Sequence, residues 1–232
     1  MPPPTTTPIL LLLHGSGTNA DIFRLQSRKL AALLSPHFTL LYLDAPHVCD
    51  PGPGVLPFFE GCGPYLTWMD DSTPEKEHDY WAGEQIGRLV GEVRRKGVVG
   101  VVGFSMGGKV GMEVVRRLEA EDGEGGCQGG VKIVVAVCGT VPFQGGVDKQ
   151  GGEDEVKGVR YRESLAKGVV KAQSVHLIGE GDPWRAESEK LVEFFGEEGR
   201  RVVRFRGEHH MPVEDALNRQ VVRMILAACG GV

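Results

Sequence analysis

The stretch Val98-Val99-Gly100-Val101-Val102-Gly103-Phe104 runs directly into Ser105-Met106-Gly107-Gly108-Lys109-Val110. Its first seven residues are apolar throughout rather than alternating, as in a strand buried on both faces of a parallel sheet. Beyond the serine, Lys109–Leu118 places Val110, Val114, Val115 and Leu118 at helical spacing. A G-x-S-x-G sequence occurs readily by chance in a glycine-rich chain, and it acquires meaning when a strand precedes it and a helix follows. In that setting Ser105 occupies a sharp, strained strand-to-helix turn. Gly103 and Gly107 leave room for neighbouring backbone that a Cβ would block. The turn pushes the hydroxyl out at the sheet edge, above a helix N-terminus that favours developing negative charge.

The same alternation extends outward in both directions. Apolar runs at Ile9–Leu13, Phe38–Leu43, Val131–Cys138, Ser174–Gly179 and Val202–Arg206 join Val98–Phe104 as predicted buried strands. Helical periodicity marks Ile22–Leu34, Tyr80–Lys96, Ala186–Phe195 and Val213–Ala228. Strands alternating with helices predict an α/β fold with about six mostly parallel strands flanked by helices. We read residues 1–232 as one domain. Right-handed crossovers bring every strand's C-terminal end to one edge, where ligand sites form.

Two stretches exceed ordinary connections. Ala45–Thr73 holds five prolines and the large side chains Phe58, Phe59, Tyr65 and Trp68. Its length and aromatics predict a cover over the strand ends, with those four residues contacting substrate. Gly139–Gly168 is predicted to complete the cover, whereas Glu121–Gly130 reads as an exposed polar connection.

Composition removes other classes. Of 232 residues 34 are glycine, without a Gly-X-Y period, and 41% are hydrophobic, enough for a real core. The net charge of −5 comes from interspersed acids and bases, so neither nucleic acid nor a membrane surface is expected as a partner. Pro8–Leu13 is too short to span a bilayer and lacks a basic flank, so no anchor or secretory signal is read there. Five cysteines without a CxxC pair argue against a zinc site or disulfide framework and for a reducing, cytoplasmic setting. Cys49 and Cys62 share one loop and are the pair to check.

A serine hydroxyl needs a base, and the base an orienting acid. In the strand–turn–helix setting these follow in the order serine, acid, histidine. Asp182 lies just past the fifth predicted strand, with Glu180 as its competitor, and Asp182-Pro183 could equally be a helix cap. His209 lies just past the sixth strand, and position alone does not separate it from His210. His14 is expected to brace a loop. An oxyanion hole requires two backbone N–H groups, expected from Met106 and from Ser16 in His14-Gly15-Ser16-Gly17. The other reading of that segment is a plain glycine-rich turn; it lacks the glycine spacing of a phosphate-binding loop.

Together these segments resemble the FSH serine hydrolase family of the α/β-hydrolase superfamily, which includes ovarian tumour suppressor candidate 2-like proteins. The resemblance spans nearly the whole chain. It rests on His14-Gly15 with Asn19 and Phe23, on Asp44-Ala45-Pro46-His47, on Gly103–Gly108, on Gly181-Asp182, and on His209 before Met211-Pro212. It implies Ser105 as nucleophile, Asp182 as acid and His209 rather than His210 as base. It also implies an acyl hydrolase without cofactor or metal, acting on an ester or thioester of an apolar acyl chain. Fungal members that release a polyketide from its synthase extend the expectation to a small-molecule or carrier-bound acyl substrate, with a synthase acyl carrier domain as partner. A short- or medium-chain carboxylesterase is the alternative, and a non-catalytic binding protein on the same fold a more distant one. Two positions depart from the family pattern: Met106 stands where glutamine is common, and Glu208 where a second glycine precedes the base.

Overall fold

A computed structural model of the protein describes residues 7–69, 84–122, 130–141 and 170–230. In chain order its elements are β1 (Ile9–Leu13), α1 (Ala20–Gln26), α2 (Arg28–Leu34), β2 (Thr39–Leu43), β3 (His47–Val48), β4 (Leu66–Thr67), α3 (Glu84–Lys96), β5 (Val98–Phe104), α4 (Met106–Asp122), β6 (Ile133–Val137), β7 (Gln173–Gly179), α5 (Arg185–Val192), β8 (Arg200–Phe205) and α6 (Asp215–Ala228). Six strands form one sheet in the order β2-β1-β5-β6-β7-β8, parallel at every pairing. The predicted α/β architecture is therefore present, with β5 inside the sheet and Ser105 at its C-terminal end.

Alternation along the central strands sorts the core into two layers. Leu11, Leu13, Val101, Val134 and Ala136 face one layer, closed by Val110 and Val114 of α4. Leu10, Leu12, Val102, Val135 and Val137 face the other, with Phe23, Leu30, Leu34, Val221 and Ile225 from α1, α2 and α6. Burial on both sides explains why these strands read as unbroken apolar runs.

Two expectations need correction. The run Val202–Arg206 is not buried on both faces: β8 is an edge strand and largely exposed. Its Val202-Val203 pair looked like core, yet Arg200, Arg201 and Arg204 surround it, and charge on an edge discourages pairing with another chain. The single helix expected over Ile22–Leu34 is broken into α1 and α2 at Ser27. The Ser27 hydroxyl donates to the Phe23 carbonyl at 2.6 Å, which also accepts from the Ser27 N–H at 2.9 Å. Such back-bonding competes with the helical ladder and bends it. The start of the predicted helix at Tyr80, residues 70–73 and 142–168 of the two cover segments, and residues 123–129 of the polar connection lie outside the described residues. Among the described residues no helix is long and apolar enough to cross a membrane.

The buried histidine of β7 links stability to pH. His176 on β7 is buried against Phe195, with ring centroids 4.9 Å apart, and its Nδ1 has no hydrogen-bond partner. Burial, with the Arg200 charge adding to it, pushes this imidazole down to about 4. Below pH 6.5 the unfolded chain takes up a proton that the folded state refuses, so stability falls as pH drops from about 6.5 towards 4. Thermal melts across that window should show a falling Tm, and His176→Gln should show a shallower slope. Parallel slopes for the two proteins would locate the effect elsewhere.

Candidate active site

Ser105 adopts φ +52, one of two non-glycine residues with positive φ among those described, so the strained turn expected from the sequence is present. The surrounding glycines make that turn possible. A Cβ on Gly103 would overlap the Gly107 carbonyl and the Gly108 nitrogen, and one on Gly107 would overlap the carbonyls of Leu13 and His14. The Ser105 N–H donates to Val137 on β6 at 2.9 Å, fixing the turn to the neighbouring strand. Helix α4 begins at the next residue, Met106.

Asp182 and His209 come from loops after β7 and β8, and the adjacency of those strands brings them together. His209 Nδ1 lies 2.9 Å from Asp182 Oδ2, with the carboxylate side chain buried and the imidazole 16% exposed. An ionised carboxylate only accepts, so Nδ1 carries the proton and Nε2 is left with a free lone pair. Phe104 and Trp184 flank the ring at centroid distances of 5.1 and 4.6 Å. The competing residues lie otherwise. Glu180 is exposed, and His210 Nδ1 is occupied by the Met211 carbonyl at 2.8 Å. The cap reading of Asp182 does not hold, because α5 starts at Arg185 with Trp184 as its N-cap; Asp182 Oδ1 instead accepts from the Trp184 N–H at 2.8 Å in the preceding turn, while Oδ2 faces the ring. Glu208, the departure beside His209, is exposed.

The loop after β1 is rigidly braced. His14 is buried, and its Nε2 accepts from the Ala45 N–H at 3.0 Å while Nδ1 lies 2.8 Å from the Gly15 carbonyl. Burial holds this imidazole below its ordinary pKa, in keeping with a neutral ring that donates at one nitrogen and accepts at the other. Asp44, next in the Asp44–His47 segment, accepts from the Ala20 N–H at the start of α1. Within the loop, the Gly17 N–H donates to the Leu66 carbonyl and the Ser105 N–H is committed to Val137. Those two donors are spent. Ser16 and Met106 line the same cavity as Ser105 and His209, and Met106 opens a helix, where the first N–H groups lack an intrahelical acceptor.

That cavity has a volume of about 690 Å³. The sequence reading assigned its cover to Phe58, Phe59, Tyr65 and Trp68, and none of the four lines it. Phe58 is 85% exposed, and Tyr65 Oη donates to the Phe59 carbonyl within its own loop. Trp68 is buried behind the β1 loop, its Nε1 donating to the His14 carbonyl at 2.7 Å. A buried indole goes where its N–H finds an acceptor, and here the acceptor is backbone behind the site. The same segment supplies Pro53, Gly54, Val55 and Met69 to the cavity instead. It is also not wholly irregular, since β3 and β4 pair as a short antiparallel ribbon.

Besides those cavity residues and Trp184, sequence reasoning missed Thr67, Cys138, Lys109 and Glu187 at the site. Thr67 on β4 accepts from Ser16 Oγ at 3.0 Å and donates to Met106 Sδ at 3.5 Å, bridging the two expected oxyanion donors' side chains. Cys138, the second positive-φ residue, lies buried with its Sγ within 4.8 Å of ligating atoms of Asp182 and His209. Burial pushes that thiol up to about 12, keeping it neutral. Lys109 and Glu187 line the cavity and come from α4 and α5. The one sequence signal among them was Lys109, a charged residue one turn past the serine on the same helical stripe as Glu113 and Arg116.

The chain matches known proteins over most of its length. A family model described as serine hydrolase (FSH1) matches residues 5–221. Esterase FUS5 of Gibberella fujikuroi is 31% identical over 225 residues, covering 94% of this chain and 85% of the relative. Thioesterase FSL2 of Gibberella zeae is 29% identical, covering 95% and 92%. Dihydromonacolin L-[lovastatin nonaketide synthase] thioesterase of Aspergillus terreus is 27% identical, covering 88% and 85%. Among solved structures, esterase PE8 superposes with a TM-score of 0.61 at 16% identity, covering 94% of this chain and 93% of that one, which places the fold among α/β-hydrolases. With a strained serine turn, a carboxylate–imidazole pair and a family match across residues 5–221, the chain belongs to the serine hydrolase (FSH1) family and is a serine hydrolase.

Proposed function

We propose that this enzyme hydrolyses the thioester of an apolar, polyketide-type acyl chain held on a synthase carrier domain, releasing the free acid. The observation that carries the reading is the cavity itself. Ser105, His209, Ser16 and Met106 share it with Val55, Met69, Phe104, Val141, Trp184, Met211 and Val213, a largely apolar lining for an acyl chain. Relatives named as thioesterases, one of them for a polyketide synthase, support the substrate class. The family match across residues 5–221 supports one catalytic domain, and the four cysteines among the described residues, all free, suit a cytoplasmic enzyme.

In this mechanism Ser105 Oγ attacks the thioester carbonyl while His209 Nε2 takes its proton. Asp182 holds the Nδ1–H tautomer and stabilises the imidazolium. The N–H groups of Ser16 and Met106 receive the developing oxyanion. Collapse expels the thiolate, which takes the proton from His209, and leaves an acyl-serine. Water, deprotonated at Nε2, then attacks that ester, and Ser105 leaves with the proton as the acid departs. No step requires a metal or cofactor.

The test compares acyl-pantetheine thioesters with p-nitrophenyl esters over matched chain lengths. Rising kcat/KM with chain length, by about threefold or more per added pair of methylenes, and a preference for thioesters are expected. A preference for short esters with no gain from length would replace this reading with a short-chain carboxylesterase, the reading that the relatives named only as esterases favour.

A further inference from the structure

The segment read from sequence as a substrate cover is also bonded to the loop after β1, and strand β4 makes the attachment. The Leu66 N–H donates to the Thr18 carbonyl at 2.7 Å, and the Gly17 N–H donates to the Leu66 carbonyl at 2.9 Å. One residue past the strand, Trp68 Nε1 donates to the His14 carbonyl at 2.7 Å. The ribbon is thereby fastened to both sides of Ser16.

Thr67 lies between those attachments, is 2% exposed, and also reaches the nucleophile helix. A thioether sulfur only accepts, so in the 3.5 Å contact with Met106 Sδ the Thr67 hydroxyl is the donor. With its one proton committed there, Thr67 Oγ1 accepts from Ser16 Oγ at 3.0 Å. A directed chain of two hydrogen bonds thus runs from Ser16 through Thr67 to Met106. These are the two residues whose main-chain N–H groups are assigned above to the oxyanion. One stands on a loop and the other at the start of α4, far apart in sequence. Two donors on separate elements act together only while their spacing holds, and a misplacement of about 1 Å can cost roughly 10²-fold in rate.

Resting on the acyl-hydrolase reading above, we propose that Thr67 is a positioning residue of the oxyanion hole, its hydroxyl fixing the Ser16 loop against Met106 and so setting the spacing of the two N–H donors. Thr67 does not line the cavity and acts only through those two neighbours. The role of β4 is therefore to hold the site's geometry rather than to contact the acyl chain. Because charge develops on the oxygen only as the reaction proceeds, loss of that spacing falls on kcat and leaves ground-state binding in place.

The experiment compares Thr67→Val, which keeps the branched shape and removes the hydroxyl, with Thr67→Ser, which keeps the hydroxyl. On a p-nitrophenyl ester, Thr67→Val is expected to lower kcat by about 10- to 100-fold with KM within about twofold. A trifluoromethyl ketone of the same chain, which forms a tetrahedral adduct with the nucleophile, should lose affinity by a similar factor. Thr67→Ser should restore most of both. Ser16→Ala combined with Thr67→Val should be no slower than Thr67→Val alone, since both break one chain of bonds. Should Thr67→Val fail to fold, Met106→Leu removes only the sulfur acceptor and should cost about threefold in kcat at unchanged KM. A raised KM with full kcat in Thr67→Val would return β4 to substrate contact and overturn the proposal. Equal losses in Thr67→Val and Thr67→Ser would do the same, by assigning the effect to the methyl group. Wild type that turns over the ester and reacts with a fluorophosphonate, beside an unaffected Thr67→Val, sinks this proposal alone. Wild type that neither reacts nor turns over any ester sinks the acyl-hydrolase reading beneath it.

Discussion

Ser105→Ala is expected to abolish covalent labelling by a fluorophosphonate and to reduce acyl turnover by about 10⁶-fold. The size follows from the proposed division of labour. Without the hydroxyl no acyl-enzyme forms, and the imidazole has no nucleophile to deprotonate except water. Residual acceleration from the oxyanion donors and binding should remain at about 10³–10⁴ over water. The fold should survive, because the contacts that hold the turn are main-chain: the Ser105 N–H to Val137 and the Gly108 N–H to the Ser105 carbonyl, both at 2.9 Å. Intact mass after probe treatment, beside a thermal melt of each protein, makes the measurement. Labelling of the alanine variant equal to wild type would assign the nucleophile to another side chain. Cys138 is a poor substitute, since a thiol pushed to about 12 yields almost no thiolate at neutral pH.

Asp182→Asn is expected to lower kcat by about 10⁴-fold with little change in stability. The reasoning is geometric. Oδ1 accepts from the Trp184 N–H, and an asparagine oxygen can keep that bond. The amide nitrogen then replaces Oδ2 opposite His209 Nδ1, which lies 2.9 Å away. An amide nitrogen donates, so Nδ1 becomes the acceptor and the proton moves to Nε2. A protonated Nε2 cannot take a proton from serine. Glu180→Gln, at an exposed carboxylate one residue before Gly181, should leave kcat within about twofold. A large loss in Glu180→Gln, or full activity in Asp182→Asn, would reverse the assignment of the acid. Steady-state rates at one saturating substrate concentration suffice to decide.

The segments carrying the site were legible because each obeys a local rule. A strand buried on both faces must be apolar throughout, so Val98–Phe104 declared itself. A turn with φ +52 at a serine needs glycine where backbones touch, so Gly103 and Gly107 flanked it. The order serine, acid, histidine follows from strands that are sequential along the chain. Where a local rule gave two answers, as between His209 and His210, periodicity had nothing to add. The family resemblance favoured His209, and the structure shows that it is the one paired with Asp182.

The cover failed for the opposite reason. Large aromatics in a proline-rich loop satisfy hydrophobicity either by lining a cavity or by packing behind it, and composition does not distinguish the two. Trp68 went to the His14 carbonyl and Tyr65 to the Phe59 carbonyl. Valine and methionine from the same segment faced the cavity instead. The break at Ser27 was equally hidden, because its hydroxyl competes for a carbonyl on its own helix while also lying 3.0 Å from Tyr42 Oη on β2.

The sequence by itself determined the parallel α/β sheet, the strained serine turn at the end of a central strand, and the strand ends on which the candidate acid and base lie. These are properties of residues close in the chain, where periodicity, glycine and chain order act directly. Only the tertiary structure decided what surrounds that serine. Lys109 and Glu187 are separated by 78 positions in sequence, yet α4 and α5 bring them to one cavity beside Ser105. Contacts between elements depend on how strand ends and loops converge, and no local pattern records that convergence.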